Sequence, residues 1–203
     1  MNNVINVKEN MAKLTTKVLN SSEAFGFWLY LMSDCIMFST LFSVYFVMRS
    51  SIFFDFYKKE IFNLSIVVLE SFVLLLSSFS YSFIILKIKE YKKNEVVFWF
   101  IVTILLGLFF LILETSECYF LIKNDCGPSH NGFLSAFFTL LLTHGFHVLV
   151  AILWACVLIV QVIKFGITYK IYSRIFFLSL FWHFLDIIWV FIFSTVHLVG
   201  AIL

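Results

Sequence analysis

Val96-Val97-Phe98-Trp99-Phe100-Ile101-Val102-Thr103-Ile104-Leu105-Leu106-Gly107-Leu108-Phe109-Phe110-Leu111-Ile112-Leu113 is a run of 18 residues without a charge. An α-helix rises about 1.5 Å per residue, so roughly 20 such residues cross the hydrocarbon core of a bilayer, about 30 Å thick. The apolar stretch extends over 96–118, and four others of similar character lie near 26–48, 63–86, 133–163 and 175–202. The pattern predicts an all-α integral membrane protein, a bundle of five transmembrane helices. Residues 1–25 read as a polar tail and 26–203 as one transmembrane domain. No internal repeat and no Pro-rich linker divides the chain.

The composition agrees. Of 203 residues, 62% are hydrophobic and 13% charged, against roughly 45–50% and 25% in soluble domains. A mean hydropathy of +1.03 leaves too little polar surface for a water-soluble fold. The net charge of +2 is spread without a long basic run, which excludes nucleic acid as a partner. Cys35, Cys118, Cys126 and Cys156 form no C-x-x-C pair, so neither a disulfide framework nor a zinc site is expected. The tail lacks the basic, apolar and small-residue succession of a signal peptide.

Basic residues set the orientation. Lys8, Lys13 and Lys17 in the tail, Lys87, Lys89, Lys92 and Lys93, and Lys164, Lys170 and Arg174 would share one side, giving it 10. Arg49, Lys58, Lys59 and Lys123 on the other side number 4. The positive-inside rule then puts the N-terminus in the cytoplasm and the C-terminus outside. Trp28 and Trp99, near helix starts, read as interfacial anchors. Asn124-Asp125-Cys126-Gly127-Pro128-Ser129 reads as a turn on the outer side.

An ionisable group inside a span costs several kcal/mol unless it is paired or wetted. Here these groups are Asp34, Glu70, Glu114, Glu117, His144, His147, His183, Asp186 and His197. Glu114/Glu117, His144/His147 and His183/Asp186 are spaced i, i+3 and each pair shares a helix face. From the rise per residue, Asp34 and His183 fall about 12 Å from the cytoplasmic edge and His147 about 9 Å; His144 and Asp186 lie nearer the midplane. A polar seam of Asp34, His144, His147, His183 and Asp186 is expected among helices one, four and five. Glu114 and Glu117 are expected near the outer boundary and partly solvated.

Interhelical hydrogen bonding that fixes packing is the simplest role for such a seam; a proton relay, an ion path or a metal site are the alternatives. The three i, i+3 pairs could form a carboxylate-imidazole set, but they lack the Glu-x-x-His motifs of di-iron bundles. By depth only His144 and His183 could hold a haem between them. No Gly-rich phosphate cradle or nucleophile elbow is present. No catalytic, cofactor-binding or metal-ligating residue is therefore assigned to this chain. A small proton- or cation-coupled secondary transporter, using Asp34, Glu70 and Asp186, is the competing reading. Five spans without paired halves, and no Pro within a span, argue against it.

Trp182-His183-Phe184-Leu185-Asp186-Ile187-Ile188-Trp189-Val190-Phe191 resembles the last-helix signature of subunit III of the haem-copper respiratory oxidases, and Thr143-His144-Gly145-Phe146-His147-Val148 resembles its His-Gly-x-His-Val helix. Gly107 with Leu113-Glu114-Thr115-Ser116-Glu117-Cys118-Tyr119 is similar to a third motif of that family. Gly26-Phe27-Trp28-Leu29-Tyr30-Leu31-Met32-Ser33-Asp34-Cys35 opens the first helix as the bacterial quinol-oxidising, cytochrome bo-type branch does. Leu69-Glu70-Ser71-Phe72-Val73-Leu74-Leu75-Leu76-Ser77-Ser78 and the five spans point to the same branch. The resemblance runs from about residue 26 to the C-terminus.

The resemblance implies a subunit of a proton-pumping ubiquinol oxidase of the bacterial inner membrane. Such a subunit binds no cofactor itself; haem b, haem o and copper reside in subunit I. Its implied partners are subunits I, II and IV, phospholipid held between helices, and the ubiquinol used by the complex. Asp34 stands where the cytochrome c-oxidising members typically carry Glu, one methylene longer.

Overall fold

The computed structural model describes residues 18, 22–48, 64–90, 92–123, 128 and 132–198. Lys8, Lys13, Lys17, Arg49, Lys58 and Lys59, most of the turn at 124–129, and the side chain of His197 lie outside the described residues. Among the described residues five helices, each long and apolar enough to cross a membrane, make up the bundle: α1 (Ser22–Met48), α2 (Leu64–Lys89), α3 (Lys93–Lys123), α4 (Gly132–Phe165) and α5 (Tyr169–Ile192). A π-helical turn, Phe193–Leu198, continues α5. Among the described residues there is no strand.

The helix ends show where charge misleads a hydropathy reading. α5 starts at Tyr169 rather than near 175, because Ile171, Tyr172 and Ser173 are buried while Lys170 and Arg174 are exposed on the same first turns. Long cationic side chains at a helix end can reach polar surroundings while their stems cover apolar surface. α3 likewise runs on to Lys123, past Glu117, with Cys118 and Leu121 buried. Between α4 and α5 the break is made by Gly166, whose φ of +69° suits a residue without Cβ; its N–H donates to the Val162 carbonyl at 3.0 Å.

α2 and α3 form the closest antiparallel pair, joined across Glu90–Lys92. α4 packs against α1, α3 and α5, and α5 packs against α4, α2 and, less extensively, α1. α5 is thus the most enclosed helix and α1 the least. Aromatic rings fill the interior: Trp189, Tyr81, Phe100, Phe110, Phe137 and Phe181 are among its largest fully buried side chains. Two glycines permit close helix approach. A Cβ on Gly107 of α3 would lie 3.2 Å from both Ile152 Cδ1 and Trp182 Cη2, and one on Gly145 of α4 would lie 2.6 Å from Glu114 Oε2.

Charge at the α2–α3 turn is paired. Lys87 meets Glu95 at 2.8 Å and Glu90 at 3.2 Å, and Lys92 meets Glu95 at 3.1 Å and Glu90 at 3.3 Å. Hydrogen bonds from Lys87 and Lys92 hold the Glu90 carboxyl below the usual carboxylate range. Lys92, bonded to Glu95 and Glu90, is pushed up. At the same end Lys93 donates to the Ile163 carbonyl at 2.8 Å and Arg174 to Gln161 at 2.7 Å, tying this turn and the start of α5 to the end of α4. Trp28 is half-exposed, while Trp99 stacks on Phe83, with centroids 4.5 Å apart.

Candidate functional site: the intramembrane polar groups

The intramembrane polar residues fall into separate groups rather than one seam. The first joins α1 and α4. His147 Nδ1 lies 2.7 Å from the Thr143 carbonyl, an oxygen that only accepts, so Nδ1 carries a proton. That leaves Nε2 facing Asp34 Oδ2 at 3.9 Å, beyond hydrogen-bond reach. Phe38 and Phe181 cover the imidazole, and Tyr30, one turn before Asp34, interacts with its carboxyl. The α5 residue at this place is Phe181, not His183. His183 is two positions further, about 200° around the helix, and faces α2.

The second group joins α2 and α5. His183 Nδ1 lies 2.7 Å from Ser78 Oγ and 3.6 Å from Asp186 Oδ2. On either side of it, Trp182 Nε1 donates to Ser77 Oγ at 3.1 Å, Trp189 Nε1 to Ser71 Oγ at 3.0 Å, and the Tyr81 hydroxyl to the Ile175 carbonyl at 3.1 Å. These bonds run in antiparallel register along the two helices. The stretch Leu69–Ser78 and the stretch Trp182–Phe191, each distinctive in sequence, are therefore the two halves of one contact. Ser71, Ser77, Ser78 and Tyr81 carry no charge and were not among the expected site residues; their spacing against the two tryptophans is the signal that could have found them.

The third group is carboxylic. Glu70 of α2 and Glu114 and Glu117 of α3 lie near enough to feel one another's charge, with Cys118 beside them. Glu70 and Glu114 are buried, at 0% and 3% exposure, and Glu117 is half-buried. Glu114 is thus enclosed rather than solvated, because its carboxyl sits against Gly145, where α4 comes close enough to cover it. His144, next to that glycine, is fully buried. Its ring packs edge-on to Phe110 and tilted against Trp189, and neither of its nitrogens has a hydrogen-bond partner among the described residues.

His144 and His183 thus face different neighbours. Among the described residues no three His, Cys, Asp or Glu side chains are grouped to hold a metal ion. Away from all these groups, a crevice of about 230 Å³ opens between α1 and α4, lined by Leu41, Val44, Met48, Gly132, Ser135, Ala136 and Thr139.

The five-helix bundle and the contact between its two distinctive stretches accord with a family match over residues 3–201 to cytochrome c oxidase subunit III. The chain belongs to the cytochrome c oxidase subunit III family. As a member of that family it is similar to the cytochrome bo(3) ubiquinol oxidase subunit 3 of Buchnera aphidicola subsp. Baizongia pistaciae, 47% identical over 190 residues that cover 94% of this chain and 97% of the relative. The protein of the same description from Pseudomonas putida is 44% identical, covering 87% of this chain and 86% of the relative. The quinol oxidase subunit 3 of Bacillus subtilis is 38% identical, covering 86% of each.

Proposed function

We propose that this chain is the non-catalytic subunit III of a terminal ubiquinol oxidase in a bacterial inner membrane. The observation that carries the reading is the near full-length similarity to ubiquinol oxidase subunit 3, in a chain whose conspicuous polar side chains lie between helices. In this reading subunit I holds haem b, haem o and copper, and the complex oxidises ubiquinol, reduces oxygen to water and pumps protons. Subunits I, II and IV are the partners. The N-terminus is cytoplasmic and the C-terminus periplasmic, with residues 1–25 as a cytoplasmic tail.

Asp34, His144, His147, His183 and Asp186, with Glu70, Glu114 and Glu117, serve to position helices. The α2–α5 hydrogen bonds support this role, since polar side chains between helices are a recurrent source of association in membranes. A rigid bundle then braces the catalytic subunit and offers phospholipid a binding surface. The crevice between α1 and α4, with small residues on one wall, suits an acyl chain.

The test replaces Asp186, buried one turn from His183, with an apolar residue. Asp186→Leu is expected to weaken retention of this subunit in the purified oxidase while the haem absorption of the remaining complex is unchanged. An intact complex with a collapsed haem spectrum would overturn the reading.

A further inference from the structure

Among the histidines whose side chains are described, His183 stands apart. His144 is fully buried and the His147 side chain is 14% exposed, yet 43% of the His183 side chain lies open. The ring sits nine residues and so about 14 Å along the axis from Arg174, the last charged residue before it in α5, and the same distance from Ile192 at the end of the helix. It is therefore at membrane depth whichever way the chain is inserted. Its Nδ1 is engaged by Ser78, and Nε2 has no hydrogen-bond partner among the described residues. Whichever of Ser78 and Nδ1 donates in that bond, Nε2 is left as a ring nitrogen that needs a hydrogen-bond partner of its own.

Around it the surface is otherwise apolar or small. Ile187 and Val190, one and two turns on, are 57% and 49% exposed, Leu75 of α2 is 54% exposed, and Ser82, also exposed, turns its hydroxyl back to the Ser78 carbonyl. Lipid tails offer a ring nitrogen neither a donor nor an acceptor, and an unsatisfied polar group in hydrocarbon is strongly disfavoured. A neighbouring transmembrane helix with one suitably placed polar side chain satisfies it. The residues flanking the ring supply the apolar contact that helix association in lipid requires.

Resting on the subunit reading above, we infer that the α2–α5 face around His183 is where this chain docks a transmembrane helix of another oxidase subunit, through a hydrogen bond between His183 Nε2 and a polar side chain of that helix.

The experiment uses the whole oxidase in native membranes. Benzoylphenylalanine is introduced by codon suppression in place of Ile187, and separately in place of Leu153, which is 59% exposed on α4. After irradiation the complex is purified and the crosslinked species are identified by mass. The Ile187 probe is expected to capture a different oxidase polypeptide. Capture of lipid alone, or of a second copy of this chain, overturns the inference, as does capture of an oxidase polypeptide from Leu153 only. In that last case the subunit reading itself survives. If no other oxidase polypeptide co-purifies with the chain, it is the subunit reading that has failed.

Side-chain chemistry is then separated from folding. With the Ile187 probe in place, and under mild detergent that leaves about half of the parental complex docked, His183→Phe is expected to weaken docking roughly fivefold, the change in equilibrium constant that loss of one membrane-buried hydrogen bond brings, and so to lower the crosslink yield about threefold, with His183→Gln restoring part of it. Ser78→Ala removes the bond within the bundle but leaves Nε2 free to bond outward, so its crosslink yield should stay at the parental level. Equal losses in His183→Phe and Ser78→Ala would mean a purely internal role, and an unchanged yield in His183→Phe would mean that the imidazole does not bond the partner. Either result overturns the inference.

Discussion

Ser77→Ala gives the sharpest reading of what holds α2 to α5. Ser77 is fully buried, Trp182 is 2% exposed, and the indole N–H donates to the serine hydroxyl at 3.1 Å. The substitution removes the acceptor and leaves the N–H enclosed with no bond. It also deletes the hydroxyl's bond to the Leu74 carbonyl, a local contact that adds little. An unsatisfied buried donor costs about 1–3 kcal/mol, whereas interhelical hydrogen bonds measured in a membrane protein average about 0.6 kcal/mol with a maximum near 1.7. The expected loss is therefore about 1 kcal/mol. Trp182→Phe also removes the donor, but it takes away indole contacts with Tyr81 and with Gly107, so by itself it costs more, about 2 kcal/mol or above. The double variant isolates the bond: once the indole is gone, Ser77→Ala has no donor to orphan, and the two losses should fall short of additivity by about 0.6–1.5 kcal/mol. Unfolding of the four proteins from mild detergent by increasing sodium dodecyl sulfate, followed by circular dichroism, measures this. Strict additivity would show that the hydrogen bond contributes nothing and that packing alone joins the two helices.

Gly145→Ala should destabilise the bundle by about 1–3 kcal/mol in the same titration, because the new methyl meets the enclosed Glu114 carboxyl. Gly26→Ala, with nothing within 4 Å of its Cβ, should be neutral or slightly stabilising, and similar losses in both would refute the close α3–α4 contact. Lys93→Met should cost about 0.3–1 kcal/mol by removing the cation that bonds the Ile163 carbonyl near the C-terminus of α4; an unchanged midpoint would mean that the contact carries no energy. Carbon-detected NMR in detergent should place the Glu90 titration midpoint below the ordinary carboxylate value of about 4.3, because Lys87 and Lys92 bond its ionised form. The support this group gives the α2–α3 turn is then complete at neutral pH and is lost as the pH falls through that lowered midpoint. Lys87→Gln should move the midpoint upward, and a midpoint at or above the ordinary value in the parent protein would refute the pairing.

Five spans were legible because a helix apolar on every face has few environments other than a bilayer, and charge-free runs of that length do not depend on tertiary context. Ends were less legible: Lys170 and Arg174 look like a loop in one dimension but occupy the first turns of a helix whose other faces are buried. Depth alone brought Asp34, His147 and His183 together, but only the first two face one another. Angular position decides which side chains meet, and an error of two residues along an α-helix turns a side chain to the opposite face. The Ser71, Ser77 and Ser78 contacts stayed hidden for another reason: a hydroxyl in a membrane helix usually bonds its own backbone, as Ser82 does, and nothing local tells which serine reaches across to a tryptophan. Glu114 was placed by distance from the helix end, which carries no information about the glycine that lets α4 cover it.

The most direct measurement is purification of this chain from its own membranes in mild detergent through a terminal affinity tag, followed by identification of the co-eluting polypeptides and an absorption spectrum. A non-catalytic oxidase subunit should bring with it other oxidase subunits and the haem bands of the catalytic one. A chain that elutes alone, with no haem-bearing partner under conditions where the oxidase stays intact, would contradict the assignment.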